Sequence, residues 1–529
     1  MAKRKWRMAK GNWHRRLESI CHLPFSFCPL PFVGRASLMR LPTALAIAML
    51  ATFATAQEPS GLAAVAAIED AFVKAIEQSE PSVVAISRKR ARPGMPRQQA
   101  RAFDRFRPVE IPEPTTEQPD LLSADWGAGI VVGEDGLILT NLHVVSGGPV
   151  EGRGGESEFV LQVHLADRRE FFATIRAADP RSDLAVIKIA ADNLKPIKLG
   201  DGSKLKKGQL VVALGNPYTL AGDGSASASW GIVANVSRRA ALEGRRSGED
   251  PFHFNTLLQI DARLNLGTSG GAVINLRGEL VGVTTSLAAL AGYEKTVGFA
   301  VPVDDWLRRV IDTLKKGLEV EYGFLGISPA ELEMAARNGI RTDQINQPGA
   351  AFVADAHQNS PASHGKVRSG DLILAVNDRP ILSVPDLLRE VGKLAPGDTA
   401  RLRVWRPDER REVTLPVVLG KWPVPDHEQV IATQRRYPAW RGLVVDYPTA
   451  RYRFSDPRRQ PQPAVLITEV DPDTPAANSN LQPGSFIVQV NGTPVRTPQE
   501  FHDIVKSLPG PVTLDMIVGD TRVTRQLPR

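Results

Sequence analysis

Two stretches of this chain repeat each other at a constant spacing of 114 residues. Ser360-Pro361-Ala362 matches Thr474-Pro475-Ala476, and Gly370-Asp371-Leu372-Ile373-Leu374-Ala375-Val376-Asn377 matches Gly484-Ser485-Phe486-Ile487-Val488-Gln489-Val490-Asn491. Pro380 pairs with Pro494 and Leu394 with Leu508 at the same offset, so the register holds without a gap across 35 residues. A gapless internal match of this kind marks a duplicated folding unit. Each copy reads as strand, turn, strand and helix. The C-terminal part of the chain is therefore two small α+β domains, and the first 320 or so residues must fold independently of that pattern.

Those earlier residues read mainly as β-structure. Residues 60–80 show apolar positions at helical spacing with Pro81 just beyond, and Val83-Val84-Ala85-Ile86 reads as a first strand. Residues 88–125 are rich in Arg, Pro and Gln and read as a long loop. From Trp126 to Val301 short strands alternate with Gly, Asp and Asn turns, the pattern of an all-β barrel pair. Residues 304–316 form a short amphipathic helix leading out of this region.

Three segments within the β region carry chemistry. In Asn265-Leu266-Gly267-Thr268-Ser269-Gly270-Gly271 a serine stands between glycines on a tight turn. Such a turn presents a hydroxyl, while the N–H groups of Gly267 and Ser269 can face the oxygen of an attacked carbonyl. Alone it would be an ordinary turn. Thr140-Asn141-Leu142-His143-Val144-Val145 follows a hairpin signal at Asp135-Gly136, which predicts His143 at the end of a buried strand. Asp179-Pro180-Arg181-Ser182-Asp183-Leu184 places Asp183 at the opening of an alternating apolar strand. Asp179 is the weaker candidate because it precedes a proline rather than a strand. A lone histidine is usually a satisfied core residue, but His, Asp and Ser in this order are the sequence used by trypsin-like double barrels.

Together, TNLHVV, DPRSDLAVIKI, Gly215-Asn216-Pro217 and GTSGGAV resemble the HtrA/Deg family of serine proteases, over roughly residues 80 to 529. The resemblance implies a mainly β fold, with a trypsin-like double six-stranded β-barrel protease domain followed by two PDZ-like α+β domains. The expected limits are a leader over 1–56, the protease over 57–310 with its long loop at 88–125, a first PDZ domain over 321–420, a linker over 421–437 and a second PDZ-like domain over 438–529. On this resemblance His143 is the general base, Asp183 steers and stabilises its imidazole, Ser269 is the nucleophile, and Gly267, Thr268 and Ser269 supply the oxyanion hole. Leu266 and Thr268 depart from the family pattern, which has proline and asparagine at those places. Leu264 and the strand Thr296-Val297-Gly298-Phe299-Ala300 would wall an apolar substrate pocket, suited to cleavage after small aliphatic residues. Arg263 either points into that pocket, favouring acidic side chains, or faces solvent.

Phe324-Leu325-Gly326-Ile327 resembles the PDZ loop whose N–H groups hold a peptide C-terminal carboxylate while the peptide adds to a sheet edge. The second unit opens with Arg441-Gly442-Leu443-Val444-Val445, which lacks a glycine matching Gly326. A PDZ fold is expected there, with docking or assembly as the alternative to carboxylate binding. The long loop is either a regulatory loop reaching a neighbouring active site or an insertion.

Charge distribution narrows the partners. The 529 residues carry a net charge of +7, but residues 1–56 hold nine Lys/Arg and one Glu, a net of +8, so residues 57–529 are at −1. A broad nucleic-acid face is excluded on that balance. Residues 41–56 form an apolar run ending in Ala54-Thr55-Ala56, a signal-peptidase site that exports the chain to the periplasm or cell envelope. Met39 would give a signal peptide of ordinary length, and a retained N-terminal anchor is the alternative. Both cysteines, Cys21 and Cys28, precede Met39, so residues 57–529 have neither a disulfide nor a thiol nucleophile. The scattered histidines show no metal spacing, and no cofactor is expected. The resemblance implies unfolded or misfolded polypeptides and peptide C-termini as partners, cleavage without ATP, and a homotrimer or larger homo-oligomer. A proteolytically silent peptide-binding scaffold or holdase is the competing reading, and a narrow regulatory protease shares the same chemistry.

Overall fold

The structure is a computed structural model that describes residues 61–90, 126–153, 157, 159–216, 224–238, 256–265, 267–285, 297–424, 430–451, 453–454 and 463–529. The leader, residues 91–125 of the long loop, Pro217, Leu266 and Thr296 lie outside the described residues.

Helix α1 (Gly61–Ser79) leads into two barrels. The first consists of β1 (Val83–Arg90), β2 (Trp126–Val131), β3 (Leu137–Asn141), β4 (Phe159–His164), β5 (Glu170–Asp179) and β6 (Leu184–Ile189). Their order is β5-β4-β1-β2-β3-β6, and β5 pairs with β6 to close the ring. In the second, β7 (Lys198–Leu199) adds in parallel to a closed ring of β8 (Leu210–Gly215), β9 (Ser227–Arg238), β10 (Leu257–Ile260), β11 (Ala272–Ile274), β12 (Glu279–Thr285) and β13 (Gly298–Pro302). Closure leaves few free edges in a protein made of short strands.

Alternation decides which residues fill each barrel. Ile86, Ile138, Leu161, Val163, Ile175 and Ile187 pack inside the first, and Val211, Val233, Leu258, Ile260 and Val281 inside the second. Their neighbours on opposite strand faces, including Leu139, Leu184, Val186, Val212 and Leu214, form a third core between the barrels. Each such fully buried aliphatic side chain contributes about 1.5–3 kcal/mol. A one-turn helix, α2 (Leu142–Val145), follows β3, and α3 (Asp305–Lys315) closes the inter-barrel core with Trp306, Leu307, Val310, Ile311 and Leu314. Asp304 caps α3 by accepting from Leu307 N at 2.9 Å. Tyr322, well past the helix, is buried in the same core.

The repeat becomes two matching sheets. The first unit has β14 (Gly323–Phe324), β15 (Ile327–Glu331), α4 (Leu332–Arg337), β16 (Ala351–Ala356), α5 (Pro361–His364), β17 (Leu372–Val376), β18 (Arg379–Pro380), α6 (Val384–Gly392), β19 (Thr399–Arg406), β20 (Arg411–Val418) and β21 (Gly420–Lys421). Its sheet runs β15-β16-β17-β19-β20, with β15 at the edge, and β14 pairs with β21. After β22 (Ile431–Ala432) the second unit has β23 (Leu443–Asp446), β24 (Val465–Val470), α7 (Pro475–Asn478), β25 (Phe486–Val490), β26 (Thr493–Pro494), α8 (Pro498–Val505), β27 (Val512–Val518) and β28 (Thr521–Leu527). Its order, β23-β24-β25-β27-β28, copies the first. Each unit has its own core, around Val353, Ile373 and Leu402 in one and Ile467, Ile487 and Leu514 in the other.

One strand joins the repeat region to the first barrel. β22 pairs antiparallel with the end of β5, Ile431 opposite Ala178 and Ala432 opposite Ala177.

Candidate active site

His143 does not end a strand, as the hairpin pattern predicts; it sits on α2, two residues beyond the end of β3. The strand stops because Asn141 turns away to serve the aspartate loop, donating through Nδ2 to Asp183 O at 3.0 Å, and Leu142 N donates to the same oxygen at 2.9 Å. Arg88 of β1 holds the other end of the turn, donating to the carbonyls of His143 and Ser146 at 3.3 and 3.1 Å.

Asp183 occupies the bend between β5 and β6 with φ of +54°, a left-handed conformation rare for a residue with a side chain. Its carboxylate is held by two bonds from His143. Nδ1 lies 2.7 Å from Oδ2, and the backbone N–H donates to Oδ1 at 3.1 Å. The aspartate is buried and the imidazole is partly exposed. Nδ1 bonded to the carboxylate carries the proton in the neutral ring, which leaves the lone pair on Nε2. Nε2 is buried and has no hydrogen-bond partner. Asp179 stands apart from this pair: it ends β5, fully buried, and its contacts run to Arg181, Ser182 and Tyr322.

The serine turn is pressed onto the strands that carry the histidine. Ser269 O accepts from Ala128 N at 2.8 Å, and Gly270 N donates to Thr284 O at 3.0 Å. Gly270, at φ +82°, leaves no space for a Cβ, which would overlap Ala128 O and Thr140 Oγ1. At Gly127 a Cβ would strike Val144, the neighbour of His143, and approach Ser269 O. The glycines let β2, the end of β3 and the serine turn meet at backbone distance. His143 and Asp183 thus meet directly, and the turn carrying Ser269 is bonded to β2, the strand beside β3.

The candidate oxyanion donors separate. Thr268 N donates to Asn265 O at 3.2 Å and Thr268 Oγ1 to the same carbonyl at 2.7 Å. That N–H faces into its own turn, which corrects the expectation that Thr268 helps to form the hole. Gly267, at φ +92°, and Ser269 remain as the donors the turn can offer. Thr268 is instead structural, its carbonyl accepting from Thr284 Oγ1.

Among the predicted pocket residues, Leu264 and Gly298 meet directly: a Cβ on Gly298 would lie 2.7 Å from Leu264 Cδ1. Phe299 is buried on β13 and Val297 is half-buried just before it. Arg263 is exposed, with its N–H donating to Ser229 Oγ at 3.0 Å. It lines a cavity of about 220 Å³ together with Gly215, Ser227, Leu264 and Thr268. This cavity lies toward β8 and β9, whereas Gly298 is on β13, so the leucine separates the two sides.

In the first repeat, Phe324 and Leu325 are buried, Ile327 is half-buried on the edge strand, and Gly326 has φ +73°. The loop is fixed by Ala362 N donating to Leu325 O at 2.8 Å and His357 N to Gly326 O at 3.0 Å. The second repeat makes the same two bonds: Ala476 N to Arg441 O at 3.2 Å and Asp471 N to Gly442 O at 2.8 Å. Gly442, at φ +87°, is therefore the counterpart of Gly326, against the expectation that the second unit lacks one. Among the described residues no cluster of three His, Cys, Asp or Glu side chains is placed to hold a metal.

Residues 127–283 match the trypsin-like peptidase domain, and residues 323–417 and 466–516 each match a PDZ domain. A probable periplasmic serine endoprotease, DegP-like, of Pseudomonas putida (strain GB-1) is 31% identical over 499 residues, covering 91% of this chain and 94% of that protein. A protein of the same description from Brucella suis biovar 1 (strain 1330) is 32% identical over 407 residues, 76% of this chain and 71% of that one. Among solved structures, the HtrA-type protease AlgW with decapeptide aligns with a TM-score of 0.47 at 24% identity, over 67% of this chain and 99% of that chain.

Proposed function

This chain belongs to the HtrA family of DegP-like serine endoproteases, and from that premise we propose that it degrades unfolded or misfolded envelope proteins through His143, Asp183 and Ser269. The observation that carries the assignment of roles is the 2.7 Å bond between His143 Nδ1 and the buried Asp183 carboxylate, with the opposite ring nitrogen unbonded. In the reaction, His143 Nε2 takes the Ser269 proton as Oγ attacks the scissile carbonyl. The oxyanion forms against the N–H groups of Gly267 and Ser269, and each such donor is worth about 3–4 kcal/mol of transition-state stabilisation. The imidazolium, stabilised by Asp183, passes the proton to the departing amine. Water then repeats the sequence on the acyl-enzyme and regenerates the serine.

Leu264, Val297, Gly298 and Phe299 form an apolar first pocket suited to small aliphatic residues. The edge strand β15 and the Phe324-Leu325-Gly326-Ile327 loop take an extended peptide by its C-terminus. The domain limits inferred from the sequence, with the protease ending near residue 310 and the PDZ units spanning 321–420 and 438–529, suit this division of labour. The relatives' description as periplasmic supports the same location for this chain, with the apolar run ending at Ala56 as its export signal. A homotrimer or larger assembly suits the apolar surface on α1 and β9: Trp230 is 67% exposed, with Val65, Ile68, Val73 and Ile232 also exposed.

The test is casein digestion and fluorophosphonate labelling of the purified chain beside Ser269→Ala, with mass measured by light scattering. Loss of at least about 10³-fold in hydrolysis, together with loss of label, is expected. The unbonded Nε2 also fits a resting, peptide-binding scaffold. That second reading gains if the parent chain takes no label at Ser269 even with added peptide or heat.

A further inference from the structure

The bend that carries Asp183 is held from below by a buried carboxylate that the chemistry above does not use. Asp179 is 2% exposed, and its carboxylate accepts from Ser182 N at 3.1 Å, Ser182 Oγ at 2.6 Å and Arg181 N at 3.4 Å. Three of the four residues between β5 and β6 are thereby fixed to, or adjacent to, one side chain, and the fourth, Asp183, is left at φ +54° facing His143. The remaining donor to Asp179 comes from far along the chain: the Tyr322 hydroxyl. Tyr322 lies in the core between the barrels, immediately before β14 and two residues before Phe324 of the PDZ loop.

A second tie reaches the same bend from the other end of the first PDZ unit. Arg181 is buried, stacks 5.4 Å above the Tyr322 ring and donates to Pro423 O at 2.9 Å, two residues past β21. Trp422 N donates to Tyr322 O at 2.7 Å, so the entrance and exit of this unit are bonded to each other beneath the bend. Strand β22 then lines the last residues of β5, opposite Ala177 and Ala178. The entrance and exit of the first PDZ unit are thus anchored on the end of β5 and on Arg181 of the bend that follows it.

We infer that Asp179 and Tyr322 form a positioning pair: the tyrosine hydroxyl, at the root of the first PDZ unit, fixes the aspartate that orients Asp183 toward His143. The inference rests on the catalytic roles proposed for His143, Asp183 and Ser269. Neither residue touches substrate. They act through the orientation of Asp183, and orientation is costly to lose, since an error of about 1 Å in a catalytic group can lower a rate by about a hundredfold.

The test uses Tyr322→Phe in the full chain, because it keeps the ring, its packing and its stack on Arg181 and removes the hydroxyl that donates to Asp179. Hydrolysis of a fluorogenic peptide is measured beside the parent, with melting temperature as the check on folding. The expected result is a kcat about tenfold lower with KM within about twofold. Asp183→Asn supplies the second background. If Tyr322 acts through Asp183, then adding Tyr322→Phe to Asp183→Asn costs less than about twofold further, measured as the rate of Ser269 phosphonylation. A Tyr322→Phe variant with the parent's kcat, or one whose loss multiplies fully with that of Asp183→Asn, overturns the inference. A parent chain without Ser269-dependent hydrolysis overturns the functional reading and the inference with it, whereas an active parent matched by Tyr322→Phe overturns the inference alone.

Discussion

The two PDZ units share a strand order and a core pattern, yet they solve the loop before the edge strand in opposite ways. In the first, Leu325 turns into the unit's own core, and the loop's root is held by β14 pairing with β21. In the second, Arg441 takes the same place with φ +51°, and its guanidinium donates to four carbonyls: Leu508, Gly510, Leu527 and Pro528. Gly323 N donates to Leu394 O in the first unit; 114 residues on, Leu508 O is taken by the arginine instead. The second unit is also covered from the side. The Tyr437 ring stacks on His502 of α8 at 4.7 Å, its hydroxyl bonds Gln499 at 3.0 Å, and Trp440 meets Phe501 edge-on. A duplicated scaffold has thus kept one loop backed by strands and tied the other to its own neighbours.

The contrast depends on the place where the units meet. Lys421, at the end of β21, is 1% exposed and lies 3.0 Å from Glu319, 3.2 Å from Glu321 and 2.8 Å from Asp446 of β23. Arg451 adds a second cation at 3.0 Å from Glu319. Removing the lysine strands buried carboxylates, so Lys421→Met is the largest single effect expected: a loss of about 3–5 kcal/mol in denaturant unfolding. An equal loss at the two PDZ units by hydrogen exchange would show one shared joint; a loss confined to one would break the symmetry of the pair.

Acid acts on the same joint. Burial would raise the Glu319 carboxyl, but Lys421 and Arg451 overcome that and hold it at about 2. A carboxyl depressed in the folded state contributes stability above its unfolded value, and that contribution is lost as pH falls toward the folded one. Glu321 is shifted the other way by burial, so its protonation does not oppose the fold. Between about pH 5 and about pH 3 the parent should therefore lose on the order of 2 kcal/mol that Glu319→Gln does not lose. Parallel urea titrations at the two pH values measure the difference, and equal slopes for parent and variant would remove Glu319 from the account.

The paired glycines give a sharper comparison. A Cβ at Gly326 would overlap the Ser360 side chain, and one at Gly442 would overlap Thr474, both at positive φ. Alanine at either position is expected to cost about 2–3 kcal/mol, from the left-handed backbone and the clash together. The structural cost should be alike in the two units. Binding should not be: peptide affinity, followed by fluorescence polarisation of a labelled C-terminal peptide, falls with Gly326→Ala and stays level with Gly442→Ala.

These two glycines also mark what the sequence can and cannot tell. The gapless offset of 114 locates β17 with β25 and α6 with α8, because the hydrophobic alternation there survives in both copies. Carried back to the loop, the same offset lands on Trp440, since the second unit has two fewer residues between its loop and α7; only the shared hydrogen bonds identify Gly442. His143, Asp183 and the glycine-flanked Ser269 stand out as candidates because each motif is written within a few contiguous residues. The one-turn helix under His143 was hidden, since it depends on Asn141 and Leu142 bonding to a loop 40 residues away. Asp179 read only as the weaker carboxylate candidate, and its place under the bend was hidden because its partner Tyr322 is 143 residues distant. Likewise no local pattern announces that Ile431 and Ala432 extend β5, or that a lysine will be buried among acids.

The smallest effect addresses the loops themselves. Arg441 is expected to exclude a peptide carboxylate from the second unit, because its guanidinium holds the carbonyls of the surrounding turns and keeps the loop tied shut. The parent chain should then bind one C-terminal peptide per chain by calorimetry. Arg441→Leu puts the first unit's residue type at the position and releases four carbonyls, most of which can turn to water. The loss is about 1–2 kcal/mol, less than for a buried pair, since the arginine lies at the surface of the unit. If the guanidinium is the bar, this variant takes up a second peptide while Leu508 and Gly510 exchange faster. If stoichiometry stays at one although the exchange rises, Tyr437 stacked over His502 and Gln499 is the cover instead, and the difference between the two units lies in the linker rather than in the loop.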